Sequence, residues 1–164
     1  MNLYFCLMKI KLLCVGKSGN AALQHLIGEY EKRLRFYIPF EREILPDTKR
    51  TGGTDNQRQK ESEGRAILKR LKPGDVPVLL DERGKSYTSA GFSVYLQKKM
   101  NAGIKRLVFV TGGAYGFSGE VYEKAQETIS LSKMTFPHQL VRLFFMEQLY
   151  RAFTILNNEP YHHN

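Results

Sequence analysis

The sequence predicts an α/β fold in which a mainly parallel sheet is flanked by helices. Three observations predict it. Short apolar runs alternate with longer amphipathic segments along the chain, the pattern of repeated strand–helix units. The run Arg106-Leu-Val-Phe-Val-Thr111 is apolar at consecutive positions, as a strand covered on both faces must be. Gly or Pro follows most of these segments, at Gly16, Pro46, Pro73-Gly74 and Gly112-Gly113. The 164 residues suffice for one domain with its own core, and no internal boundary, repeat or low-complexity tract is visible. The domain is expected to run from Met8 to Asn164. Met1-Asn-Leu-Tyr-Phe-Cys-Leu7 is apolar, too short for a signal core and without a basic start, so residues 1–7 read as a disordered N-terminal extension.

Taken in order, Lys9 to Val15 reads as a strand ending at Gly16. Asn20 to Phe36 follows as an amphipathic helix with Leu23, Leu26, Ile27, Tyr30 and Leu34 on one side. Phe40 to Leu45 is a second strand. Pro46 to Asn56, containing Thr51-Gly-Gly-Thr54, reads as a polar, basic loop. Gln57 to Leu71 forms a basic helix stopped by Pro73-Gly74. Val76 to Leu80 is a strand closed by Asp81-Glu-Arg-Gly84, and Ser89 is placed to cap a helix that runs to Asn101. Arg106 to Thr111 belongs at the centre of the sheet. A short helix over 118–126 and a short strand over 128–131 lead to the final helix, from Pro137 to Leu156. Proline fits a helix start, where no N–H is needed.

The formal charge of +9 favours a polyanionic partner. It is concentrated: between Lys49 and Lys72 eight basic residues face three acidic ones. In that stretch Arg58, Arg65, Lys69 and Lys72 follow i, i+7, i+11, i+14 and align along one helix face, with Lys49 and Arg50 in the preceding loop. Two readings stand side by side, a solvated charged face and a phosphate-contacting one. Cys6 and Cys14 form neither a CxxC pair nor a zinc-spaced cluster, which argues for a reducing cytoplasm and against a structural metal or disulfide framework.

Two glycine motifs need separating. Gly16-Lys17-Ser18 imitates the end of a P-loop, but the glycine that motif requires five positions earlier is Lys11. Thr111-Gly-Gly-Ala-Tyr-Gly116 follows a strand as a phosphate-binding turn does, without the GxGxxG order or an acidic ribose partner, so a dinucleotide is not indicated. What Gly112 and Gly113 offer is backbone with no Cβ, open to close approach by a flat ligand.

The last third of the chain is the most specific. Ser132, Lys133, Thr135 and His138 crowd a loop that enters a helix N-terminus, where free N–H groups face ligands. His138 and Arg142 share a helix face, and Glu147 with Arg151 repeats the spacing of an ordinary helical salt bridge. Leu140, Val141, Leu143, Phe144, Phe145, Met146, Leu149, Phe153 and Leu156 cover more than one stripe, as in a core helix that also meets a second subunit.

Ser132-Lys-Met-Thr-Phe-Pro-His138, Arg142, Glu147-Gln-Leu-Tyr-Arg-Ala152, Pro160-Tyr-His162 and the upstream Gly112, Gly113 and Gly116 resemble the RlmH (YbeA) family, over nearly the whole chain. The resemblance implies a homodimeric, cytoplasmic SPOUT-class enzyme with a C-terminal trefoil knot. Such enzymes use S-adenosyl-L-methionine, without a metal or a membrane, to methylate N3 of a pseudouridine in the 23S rRNA of the assembled ribosome. It places the cofactor on Leu80, Gly112, Gly113, Leu131, Ser132, Lys133, Met134, Thr135 and Phe136, with Leu79 among its apolar cover. It assigns the chemistry to His138, Arg142, Tyr161, His162 and His163, while the RNA-contacting candidates are Lys49, Arg50, Arg58, Arg65 and Lys69. Family members carry Arg or Lys where this chain has His163, a residue mostly neutral at pH 7. A non-catalytic RNA-binding or ribosome-assembly protein is the alternative, and a small nucleotide-binding enzyme using Gly112 to Gly116 a further one.

Overall fold

A computed structural model describes residues 8–17, 19–46 and 55–162. The expected extension over 1–7, most of the loop around Thr51-Gly-Gly-Thr54, and the candidates Lys49, Arg50 and His163 lie outside the described residues. The chain alternates β1 (Lys9–Val15), α1 (Ala21–Leu34), β2 (Phe40–Leu45), α2 (Asn56–Arg70), β3 (Asp75–Ser86), α3 (Ser89–Asn101), β4 (Arg106–Thr111), α4 (Gly119–Lys124), β5 (Glu127–Ser130) and α5 (His138–Leu156). Local chemistry sets several of the helix starts. Asn20 accepts from the N–H groups of Ala22 and Leu23, and Asp55 from that of Gln57, so each satisfies donors the helix itself leaves open.

The sheet has the order β2-β1-β4-β3-β5, and its pairs are all parallel. β4 is the middle strand, as its continuous apolar run requires. Alternation along the strands divides the core into two layers. Ile10, Leu12, Val78, Leu107 and Phe109 pack under α1, α3 and α5 with Ile27, Leu34, Phe92, Leu96, Phe145, Met146, Leu149 and Phe153. Leu13, Val15, Leu79, Val108 and Val110 face α2 and α4 through Ile67 and Val121. Ring packing tightens the first layer, with Phe109 and Phe145 only 4.6 Å apart between centroids.

Several boundaries differ from the sequence expectation, and three of the differences have a local cause. β3 does not close at Leu80 but continues through Asp81-Glu-Arg-Gly84 to Ser86, with a register shift between Leu80 and Lys85 against β5. Glu82, Arg83 and Lys85 survive in that strand because they lie at its exposed end, and half-buried Asp81 because Tyr122 and the Arg83 backbone donate to it. Thr88, not Ser89, caps α3: its hydroxyl accepts from the N–H of Gly91, while Ser89 is already helical and donates to Gln148 on α5. Pro137 stands one position before α5, as the cap, because its extended ψ of 133° is not helical.

Gly84 is dictated by close approach. A Cβ there would sit 2.6–2.7 Å from the backbone of Thr128 and Ile129, where β5 crosses. Gly84→Ala should therefore cost about 1–3 kcal/mol as an overpacked site. Gly28, within α1, has nothing within 4 Å of the same atom, so Gly28→Ala should add about 0.5–1 kcal/mol. Urea denaturation of the two variants checks both signs.

Candidate functional site

A cavity of about 370 Å³ opens at the carboxyl edge of the sheet, formed by the ends of β3 and β4 and by the segment between β5 and α5. Ligand sites of open parallel sheets form at this edge, because successive loops converge there. The end of β3 contributes Leu80, Asp81, Glu82 and Arg83, the turn after β4 contributes Thr111 to Phe117, and the segment before α5 contributes Leu131, Ser132, Met134, Thr135 and Phe136. His138 and Val141 close it from α5.

Each wall has a reason for its shape. The glycine turn folds back on itself, with the N–H of Gly116 donating to the carbonyl of Gly113, and Gly116 has a φ of 79°. It is held from behind by α2. A Cβ on Gly113 would lie 2.4 Å from a carboxylate oxygen of Glu63, and one on Gly64 would lie 2.2 Å from the hydroxyl of Ser118. Glu63 itself is only 3% exposed, and Gln59 donates to its other oxygen at 2.9 Å. The sequence argued that these glycines admit a ligand; the structure adds that Gly113 admits Glu63. The opposite wall is tied down by short polar links. Ser130 donates to the carbonyl of Ser132, the Ser132 hydroxyl accepts from the N–H of Met134, and Thr135 donates to Glu82 at 2.9 Å. Phe136 packs edge-on against Phe144 at 5.2 Å.

The mouth is acidic on one side. Asp81 accepts from the hydroxyl of Tyr122 and from the backbone and guanidinium of Arg83. Burial pushes the Asp81 carboxyl up, and these donors together outweigh it and leave the group below the usual carboxylate range. For Tyr122, burial and the same carboxylate push the phenol up to about 12.

Of the cofactor candidates, Leu80, Gly112, Gly113, Leu131, Ser132, Met134, Thr135 and Phe136 all line this cavity; exposed Lys133 does not, and Leu79 is fully buried in the core. Among the described catalytic candidates only His138 reaches the wall. Arg142 is fully buried and donates through Nη2 to the carbonyls of Val15 and of Gly16, the latter at 2.7 Å. In this chain it holds the end of β1 and does not face the cavity. Tyr161 and His162 fold onto the far half of α5. Tyr161 donates to Glu147 at 3.2 Å, and its ring lies against Tyr150 and under the Arg151 guanidinium. Glu147 lies nine positions beyond His138 on α5, about 14 Å along the axis. Arg58, Arg65 and Lys69 are exposed on α2 and pair with no described carboxylate, whereas Arg70 is bound to Glu43 at 2.8 Å.

Comparison with known proteins decides the relationship. The family described as "Predicted SPOUT methyltransferase" matches residues 8–162. The chain belongs to the SPOUT methyltransferase family. Relatives named ribosomal RNA large subunit methyltransferase H are 60% identical in Flavobacterium johnsoniae, 60% in Christiangramia forsetii and 59% in Parabacteroides distasonis. Each alignment spans 156 residues, 95% of this chain and 99% of the relative. In this member of the family, no group of three or more His, Cys, Asp or Glu among the described residues is placed to hold a metal. No described helix is long and apolar enough to cross a membrane.

Sequence reasoning missed Asp81, Glu82, Arg83, Tyr115, Phe117 and Val141 as lining residues. The signal for Asp81 to Arg83 was present, since charges directly following an apolar parallel strand fall at the ligand-binding edge. Tyr122→Phe should move the Asp81 pKa upward. A carboxylate depressed in the folded state stabilises the fold above its unfolded pKa, and the stabilisation is lost as the pH falls through its folded value. The stability gap between wild type and Tyr122→Phe should accordingly be full at neutral pH and shrink on acidification, as followed by carboxyl NMR and denaturation at several pH values.

Proposed function

We propose that the chain is an S-adenosyl-L-methionine-dependent methyltransferase acting on N3 of a pseudouridine in the 23S rRNA of the assembled ribosome, working as a homodimer in the cytoplasm. The observation that carries this reading is the cavity at the carboxyl edge, built by the three loops that hold the expected cofactor residues, with His138 on its wall. The residues fit the donor. Leu80, Leu131 and Phe136 provide apolar surface for a flat ring, the glycine turn offers bare backbone, and Asp81 and Glu82 complement a ligand that carries positive charge. When bound, the sulfonium supplies a methyl group already activated for transfer.

The rest falls to the chain. Uracil-type N3 is an imide nitrogen that must lose its proton, so His138 is placed to accept or share it, and alignment within the cavity supplies much of the acceleration. The exposed cations Arg58, Arg65 and Lys69 suit RNA phosphates. A single chain keeps Tyr161 and His162 on the far half of α5, away from its own cavity. The outer side of α5 leaves Phe144 41% exposed beside half-buried Leu140 and Leu143, which supports pairing with a second copy whose tail completes the site. We extend to this chain the family's knotted C-terminal threading, which fits the convergence of the glycine turn and the segment before α5.

The test is transfer of labelled methyl from S-adenosyl-L-methionine to free 23S RNA, isolated large subunits and assembled ribosomes from cells lacking the enzyme. Label confined to a pseudouridine of assembled ribosomes is the expected result. RNA binding without label or cofactor affinity would favour a non-catalytic RNA-binding protein. Sharing of the site is tested by mixing. A His138→Ala chain and a chain truncated before Tyr161 should each be inactive alone. Unfolded and refolded together, they should recover roughly a quarter of wild-type activity, because random pairing leaves one intact site in half of the dimers.

A further inference from the structure

Glu147, Arg151 and His162 form a chain of contacts that the functions assigned so far do not use. Glu147 Oε1 accepts from Arg151 Nε at 2.9 Å and from Arg151 Nη2 at 2.6 Å, while Glu147 Oε2 accepts from Gln148 at 2.7 Å. That fixes the guanidinium plane and directs the remaining nitrogen, Nη1, at His162 Nδ1, 3.4 Å away. The Tyr161 ring is held between Tyr150, 4.9 Å between centroids, and the Arg151 guanidinium, 4.8 Å above it. One residue earlier than the turn, Glu159 accepts from Tyr37 at 2.6 Å, so the tail is fastened on both sides of Pro160.

A guanidinium has donors and no acceptor, and it is charged at every accessible pH. For this contact to be a hydrogen bond, His162 Nδ1 presents its lone pair and the ring hydrogen sits on Nε2. We infer that Arg151 is a positioning residue that locks His162 as the neutral Nε2–H tautomer, so that the tail offers a hydrogen-bond donor, and not a base, to a carbonyl oxygen of the target ring. The charge of Arg151 is matched by Glu147 behind it, so what this tautomer has to offer a ligand is an uncharged N–H, suited to a neutral carbonyl more than to a phosphate. Both carbonyls of a uracil-type ring flank N3. Negative charge grows on them as the imide proton leaves, and a fixed donor there acts most strongly when the charge has developed. A ring with an amino group in place of that carbonyl would set donor against donor and be rejected. This rests on the reading of the substrate proposed above.

The experiment has two arms. In the first, the full-length wild-type dimer with ¹⁵N-labelled histidine is examined by NMR without RNA, the His162 resonances being assigned by their loss in His162→Gln. The Nε2–H pattern is expected in wild type, a mixture of tautomers in Arg151→Met, and recovery toward the wild-type pattern in Arg151→Lys, which keeps a donor. A wild-type ring in the Nδ1–H or doubly protonated form at neutral pH would overturn the inference. In the second arm, methyl transfer to ribosomes is compared for two substitutions. The Gln amide reaches the place of Nε2 and the Asn amide that of Nδ1. His162→Gln should keep kcat within about tenfold of wild type, and His162→Asn should lose on the order of 100-fold with unchanged KM for the methyl donor. Equal activities of the two would overturn the inference. If wild type transfers methyl to no ribosomal substrate, the functional reading fails on its own, and the NMR arm still decides the tautomer.

Discussion

The guanidinium of Arg142 is the contact on which the arrangement of the site depends. The carbonyls that leave the end of an interior strand must find donors, since a buried unpaired polar group is costly. Val15 and Gly16, at the end of β1, find theirs in Arg142. The guanidinium in turn needs oxygens around it, because a charge taken out of water is tolerated only where it is well hydrogen-bonded. One interaction thus fixes the height and rotation of α5 against the sheet. His138, one turn earlier, comes to the wall of the cavity, and Glu147 and Arg151, later on, come to meet the tail.

The cavity follows the same logic of backs holding fronts. Its glycine turn is supported from behind by buried Glu63 and by the contact of Gly64 with Ser118, so α2 presents exposed cations outward while its inner side braces that turn of the cavity wall. The Thr135–Glu82 bond and the edge-on packing of Phe136 against Phe144 do the same for the opposite wall. Within one chain, the tail is held at a second place altogether. The separation of tail and cavity is the observation behind the proposal of a site completed by a second copy.

Much of this fold could be read from residue patterns, and the reasons are specific. The unbroken apolar run of Arg106 to Thr111 marked the central strand because both faces of β4 are covered, and the i, i+3, i+4 pattern of Leu23, Ile27, Tyr30 and Leu34 marked α1. The extension of β3 was hidden because Asp81-Glu-Arg-Gly84 has the composition of a turn. Only the approach of β5 backbone over Gly84 shows why a strand persists there. Arg142 and Glu63 were hidden for a different reason. A charged residue on a helix reads as solvent-facing, and burial of either depends on partners more than forty positions away. The cavity residues were identified through family resemblance, not through periodicity, since backbone and loops build that wall.

The position of α5 in the chain has a consequence for synthesis. Phe145, Met146, Leu149 and Phe153 cover the same side of the sheet as Ile10, Leu12, Leu107 and Phe109, yet they are made after all five strands. A nascent chain with every strand complete still has an apolar flank uncovered, and the end of β1 still lacks Arg142. At ordinary synthesis rates of about 5–20 residues per second this state lasts for seconds. The core therefore closes only after α5 has cleared the exit tunnel, and a pause in translation between β5 and the end of α5 prolongs exposure of a surface that favours aggregation or chaperone capture.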